Sequence, residues 1–225
     1  MGKKLPEAAV EIDTPHGPAR VHLSPGGESP PGAVVLGHGA GGGVAARDLQ
    51  AARSVALERG LSVALVEQPY RVAGRRSPAP ARQLDAAWRA VLDRLRSREL
   101  AGLPVVVGGR SSGARVACRT AAETGAVGVL CLAFPLHPPG RPAATRLQEL
   151  DEVDLPTLIV QGVSDPFGMP PPGPNRTIVH VAGNHSLTSD LDAVREAVRA
   201  WLDSVPPGPF AGAICESGRR ESNPP

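Results

Sequence analysis

From residue 33 to residue 204, short apolar runs alternate with segments whose apolar residues recur at helical spacing, and few architectures satisfy that alternation. The runs at 33–36, 61–66, 105–107, 127–133, 157–160 and 177–181 are rich in β-branched residues and lack two-fold alternation. Runs of that kind suit strands covered on both faces, as in a parallel sheet. Between them, Leu84, Ala87, Trp88, Val91, Leu92 and Leu95 form one stripe, and Leu191, Val194, Val198, Trp201 and Leu202 form another. A weaker stripe, Leu49, Ala52, Ala56 and Leu57, stops at Gly60, a residue suited to a helix C-terminus. Both tryptophans lie on stripes and are expected in the core. Ahead of the alternation, residues 10–12 and 20–23 flank His16-Gly17-Pro18 and predict an antiparallel hairpin at the sheet edge. The expected fold is α/β: a mostly parallel sheet between two helical layers.

At 225 residues and 41% hydrophobic content the chain suits one domain, expected over residues 1–205. From Pro206 onward the periodicity is lost, which predicts a disordered tail over 206–225. Aromatic residues are only 3%, so the core must be built from Val, Leu, Ile and Ala. A net charge of +2, with no Lys/Arg cluster interleaved with aromatics, gives a nucleic-acid partner no electrostatic support. Cys118, Cys131 and Cys215 are too scattered for a disulfide framework or a metal site, and the first two lie in apolar segments as small buried hydrophobes. No apolar run follows Lys3 and Lys4, and the longest run, 129–135, falls far short of the ~18 residues of a membrane span. A soluble, cytoplasmic protein without a membrane partner is expected.

Chemistry concentrates at four places, each just past an expected strand. Gly109-Arg110-Ser111-Ser112-Gly113 matches G-x-S-x-G, with a strand before it and an Ala-rich helical segment at 114–123 after it. That strand–turn–helix context is what a nucleophile elbow requires, and it makes Ser111 the expected nucleophile. His38-Gly39-Ala40-Gly41-Gly42-Gly43 follows the strand at 33–36. Its backbone can approach a reacting carbonyl, so the N–H groups of Ala40 and Ser112 are the expected oxyanion hole. No phosphate-loop pattern is matched there, and His38 itself reads as structural. Asp165 closes Gln161-Gly162-Val163-Ser164-Asp165, and His185 sits in Gly183-Asn184-His185-Ser186-Leu187. A serine hydroxyl needs a base of pKa near 7, which His supplies, and the His needs a carboxylate to fix its tautomer. Tyr70, Arg110 and His137 also lie at that edge and are expected to shape a substrate pocket, although loop packing explains them as well. No His, Asp, Glu and Cys cluster has metal-ligand spacing, so neither metal nor cofactor is expected.

Taken together, GHGAGGG, EQPYRVAGRR, GGRSSGARVA, FPLHPPGRP, VQGVSDPFG and AGNHSL resemble the alpha/beta-hydrolase superfamily near its dienelactone-hydrolase-like members. Within it they look like a small branch shared by bacterial hydrolases and a subunit of the non-specific-lethal chromatin complex. The resemblance implies a three-layer alpha/beta-hydrolase fold, a Ser111–Asp165–His185 triad and an oxyanion hole, and it implies no firm substrate. Dienelactone hydrolases carry Cys where this chain has Ser111, so lactone specificity does not carry over. The expected function is cofactor-free hydrolysis of a carboxylic ester or related acyl bond on a small-molecule substrate. The alternative is a non-catalytic interaction protein of the same fold. Only 23 residues separate Ala133 from Thr157, with room for one short helix at 143–150 and none for a cap domain.

Overall fold

In the computed structural model, which describes residues 8–141 and 143–205, all six apolar runs form strands and the expected hairpin precedes them. The hairpin is β1 (Ala8–Ile12) and β2 (Ala19–Ser24). The chain continues through β3 (Ala33–Gly37), α1 (Arg47–Glu58), β4 (Ser62–Glu67), α2 (Pro69–Val72), α3 (Ala81–Ser97) and β5 (Val105–Arg110). It ends with α4 (Ser112–Thr124), β6 (Gly128–Leu132), α5 (Leu147–Asp151), β7 (Thr157–Gly162), β8 (Arg176–Val181) and α6 (Leu191–Ser204). The expected tail at 206–225, with Cys215, lies outside the described residues.

The eight strands form one sheet in the order β1-β2-β4-β3-β5-β6-β7-β8. The β1/β2 and β2/β4 pairs are antiparallel, and every other pair is parallel. Alternate residues of the central strands enter opposite cores, which is why their sequences are apolar without interruption. On β3, Val35 faces the core built by α3 and α4, with Trp88, Leu92 and Val116. Val34 and Leu36 face the other core, built by α1 and α6, with Leu49, Val55, Val198 and Trp201. The result is the three-layer arrangement that the alternation requires.

The local signals at helix ends act as expected. Gly60 takes φ +73, with Leu61 N–H bonded to the Ala56 carbonyl and Gly60 N–H to that of Leu57, a Schellman ending for α1. Asp190 caps α6 by accepting the Ala193 N–H at 2.9 Å. Two boundaries differ from the sequence reading. β5 runs on through Gly108, Gly109 and Arg110, pairing with β6 up to Leu132. The short helix after β6 occupies 147–151 rather than 143–150, because Leu136 O accepts the Arg146 N–H and Thr145 Oγ1 accepts that of Leu147. Among the described residues no cap domain is inserted there, and no helix is long and apolar enough to cross a membrane.

The helix that follows the elbow is anchored to its neighbours by charge. Arg119 grips Asp85 of α3 with both arms, at 2.9 and 2.6 Å. Arg115 does the same with Glu149 of α5, at 2.9 and 2.5 Å, and Arg119 also reaches Glu149 at 3.2 Å. These are two-pronged guanidinium–carboxylate pairs on half-buried side chains, a geometry that holds helices in register better than single-point surface pairs.

Glycines let the elbow sit where it does. A Cβ on Gly113 would lie 2.3 Å from the Gly37 carbonyl oxygen, and one on Gly109 would lie 2.4 Å from the same atom. The start of α4 and the end of β3 therefore touch backbone to backbone. Gly113→Ala should destabilise the domain by at least about 2 kcal/mol, since the obstructing atom is backbone and cannot rotate away. Urea denaturation of the variant beside wild type measures it, and an unchanged midpoint would show that the two elements are free to separate.

Candidate active site

Because β3, β5, β7 and β8 are parallel, their carboxyl ends share one edge of the sheet, and all four chemistry-bearing segments emerge there. Ser111 joins β5 directly to α4 and adopts φ +53 and ψ −107, a conformation that a residue with a side chain rarely takes. Its N–H is held by the Leu132 carbonyl at 2.9 Å, and its own carbonyl accepts the Arg115 N–H at 3.2 Å. Sheet and helix thus fix the residue from both sides, which keeps a strained backbone in place. Ser112 opens α4, where no helical carbonyl is available to its N–H.

Ser111, His185 and Asp165 form a continuous chain of hydrogen bonds. His185 Nε2 is 2.9 Å from Ser111 Oγ, and His185 Nδ1 is 2.8 Å from Asp165 Oδ2. Nδ1–H donates to the carboxylate, leaving the Nε2 lone pair for the serine proton. Asp165 is buried and further held: Oδ1 accepts the Phe167 N–H at 2.9 Å, and Oδ2 also accepts from Gln161 Nε2 at 2.8 Å. The Gln161 amide, itself fully buried, also donates to the carbonyls of Gly168 at 3.0 Å and Phe134 at 3.2 Å. Reversing that amide would set its oxygen against three acceptors, so the donor orientation is fixed, and Oε1 is left without a partner. Gly162 brings the two loops together, since a Cβ there would lie 2.5 Å from the Asn184 carbonyl oxygen. The Phe167 ring meets His185 edge-on, with centroids 4.5 Å apart.

The glycine-rich loop after β3 is braced from below. His38 Nδ1 donates to the Gly39 carbonyl at 2.8 Å, and Nε2 accepts the Gln68 N–H at 3.1 Å. The second bond requires the neutral imidazole, because a protonated Nε2 could not accept. Burial accordingly lowers the His38 pKa from 6.5, against the opposing pull of the Gly39 hydrogen bond. The Tyr70 hydroxyl donates to the Ala40 carbonyl at 2.9 Å, and burial raises the phenol's pKa.

Tyr70, Arg110 and His137, expected to shape a pocket, are occupied in holding the loops. Tyr70 is buried beneath the glycine-rich loop. Arg110 donates from Nε to Asp48 Oδ2 at 2.8 Å and from a terminal nitrogen to the His185 carbonyl at 3.1 Å. Burial raises the pKa of Asp48 and the Arg110 charge opposes that shift. His137 packs against Gly168 and donates from Nδ1 to the Ala144 carbonyl at 2.8 Å. Gln161, Phe167 and Asp48 escaped the sequence reading of the site. Phe167 had one available signal, an aromatic residue two positions after the acid. Cys118 and Cys131 are buried with their sulfurs 3.5 Å apart, and that contact with burial pushes the Cys131 thiol well up. Among the described residues no group of three His, Cys, Asp or Glu side chains could hold a metal ion.

Comparison with known proteins bears on the fold and the family. No curated protein sequence matches the chain. Among solved structures, the fold is similar to XC6422 of Xanthomonas campestris, described as an a/b serine hydrolase without lid. The two are 20% identical, with a TM-score of 0.71 over 92% of this chain and 99% of that one. Est1E of Butyrivibrio proteoclasticus superposes at 16% identity and a TM-score of 0.70, over 88% of this chain and 98% of that one. A dienelactone hydrolase of Anabaena variabilis does so at 19% identity and 0.69, over 88% and 97%. Residues 30–189, which include the glycine-rich loop, Ser111, Asp165 and His185, match the alpha/beta hydrolase domain model, and the chain therefore belongs to the alpha/beta hydrolase family.

Proposed function

We propose that the protein hydrolyses a carboxylic ester or a related acyl bond through an acyl-serine intermediate, without a cofactor. The observation that carries this reading is the hydrogen-bond chain from Ser111 through His185 to Asp165, starting on a strained turn. Ser111 Oγ attacks the substrate carbonyl while His185 Nε2 takes the hydroxyl proton, and Asp165 stabilises the resulting imidazolium. The N–H groups of Ala40 and Ser112 receive the charge that develops on the carbonyl oxygen. His185 then gives its proton to the leaving group, and water, deprotonated by the same nitrogen, releases the acid and restores Ser111. The substrate is a small acyl compound.

A fluorophosphonate probe should label Ser111 and leave Ser112, Ser164 and Ser186 unmodified, and Asp165→Asn should slow both labelling and ester turnover by about 10³-fold or more. Peptide mapping by mass spectrometry reads the site. An adduct on another serine would overturn the assignment, and folded wild-type protein that never labels would leave the fold as a binding scaffold.

The short crossover between β6 and β7 favours short acyl groups. Each CH₂ left unburied forfeits ~0.8 kcal/mol, so long chains gain little at a site with no cap. Among p-nitrophenyl esters kcat/KM should be highest at about two to six carbons and fall beyond. A steady climb to long chains would require an enclosed acyl tunnel.

His38 makes the oxyanion loop sensitive to acid. Its folded pKa is lowered below the unfolded 6.5, so the unfolded chain binds more protons in that window. The His38 contribution is complete above 6.5 and is lost as pH falls through 6.5 toward the folded value. His38→Gln should lower stability at pH 7.5, while its urea midpoint should change less than that of wild type between pH 7.5 and 5.5. Parallel profiles would show that His38 does not titrate with unfolding.

A further inference from the structure

We propose that Arg110, the residue before the nucleophile, is a positioning residue that fixes His185 through its main-chain carbonyl, with Asp48 holding the guanidinium in the required orientation. The inference rests on the reading of His185 as the base. Arg110 uses separate nitrogens for its two partners: Nε for Asp48 Oδ2 at 2.8 Å and a terminal nitrogen for the His185 carbonyl at 3.1 Å. The other Asp48 oxygen accepts the Leu49 N–H at 2.9 Å, so the carboxylate is itself fixed to the start of α1. The rest of the guanidinium lies against the glycine-rich loop, since a Cβ on Gly39 would approach a terminal nitrogen of Arg110 to 2.8 Å. One side chain therefore touches the loop that bears Ala40 and the loop that bears His185, and it is covalently next to Ser111.

Energetics favour a positioning role over a stabilising one. The Asp48 side chain is 1% exposed and that of Arg110 18%. Taking such a pair out of water costs several kcal/mol, and the attraction between its members does little more than offset that cost. Two well-packed apolar side chains would serve stability as well. A planar fork holds a carboxylate and a carbonyl at fixed angles through separate nitrogens, a geometry that the single nitrogen of a lysine ammonium does not reproduce. The main chain of the His185 loop is also held by a bond across from the turn after β7, Ser164 N–H to the Gly183 carbonyl, and by one within the loop, Leu187 N–H to the Asn184 carbonyl. The peptide that carries the His185 carbonyl has one further bond, from its Ser186 N–H to Asn184 Oδ1 at 3.0 Å, which lies within the loop, so Arg110 is the side chain that ties this peptide to β5 and α1. A shift of the ring by about 1 Å can cost as much as 10²-fold in rate, so this is where a restraint has value.

The test compares Arg110→Ala, Arg110→Lys and Asp48→Asn with wild type by ester kinetics and by the far-downfield proton NMR signal of His185 Nδ1–H. Both arginine variants should lose about 10- to 100-fold in kcat with KM within about twofold, and their His185 signal should broaden or vanish. Asp48→Asn should show a smaller loss of the same kind. Millimolar guanidine should restore kcat and the signal in Arg110→Ala and leave Arg110→Lys, whose side chain fills the space, unrescued. Should Arg110→Ala fail to fold, Arg110→Lys decides by the same readouts. Unchanged kcat with a sharp His185 signal would overturn the proposal, as would a rise in KM alone, which would make Arg110 a substrate contact. If wild type turned over no ester while the signal still depended on Arg110, the positioning role would stand and the hydrolase reading would fall.

Discussion

The whole arrangement depends on backbone contact among the end of β3, the end of β5 and the start of α4. Gly109 and Gly113 both press on the Gly37 carbonyl oxygen, at distances no side chain could share. That contact sets two things at once. It forces the chain to reverse within one residue, putting Ser111 at φ +53, and it places the loop after β3 beside Ser111. A residue in that conformation costs about 1–3 kcal/mol and persists only where its surroundings leave no alternative. Here the sheet bond to Leu132 and the first turn of α4 supply the restraint.

Around that contact, the glycine-rich loop, the turn that carries Asp165 and the loop that carries His185 are each braced by polar side chains. His38 and Tyr70 hold the carbonyls of Gly39 and Ala40, so the peptide planes of the glycine-rich loop are set before any ligand arrives. Gln161 donates to the same Asp165 oxygen that faces His185. The carboxylate therefore receives three hydrogen bonds in all, from His185, Gln161 and the Phe167 N–H, which fix its orientation toward the imidazole. Arg110 holds the peptide of His185 itself. Each brace acts on main chain or on a charged oxygen, where a single bond removes the most freedom per side chain.

Much of this was legible in the sequence, and the exceptions share a cause. Strands covered on both faces are continuous apolar runs, so five of them could be located directly, and β8, a part-exposed edge strand, from its β-branched residues; parallel pairing then puts Ser111, Asp165 and His185 at one edge in chain order. β5 was cut short because Gly108 and Gly109 carry no apolar signal, although their backbones still pair with β6. Tyr70 and Arg110 were placed at the right edge, but the bonds they make there could not be read. Their positions follow from the strands, but their partners, Ala40 and Asp48, lie 30 and 62 residues away. Gln161 was visible only as the start of a turn, because its contacts with Phe134 and Gly168 are made by tertiary packing.

The same braces bear on how a site without a cap could reach an adequate rate. Where a cap closes over a substrate, expulsion of water strengthens every electrostatic interaction in the site. The crossover between β6 and β7 supplies no such closure: it carries one five-residue helix, and the Glu149 carboxylate ties that helix to Arg115 and Arg119 of α4. A segment held in this way is a fixed wall. Charge stabilisation in such a site has to come from donors already aligned, because little desolvation is available to amplify imperfect ones. Buried side chains spent on orienting the peptides of Gly39, Ala40 and His185 are what that requirement selects, and they occupy positions where apolar packing would otherwise have served stability as well.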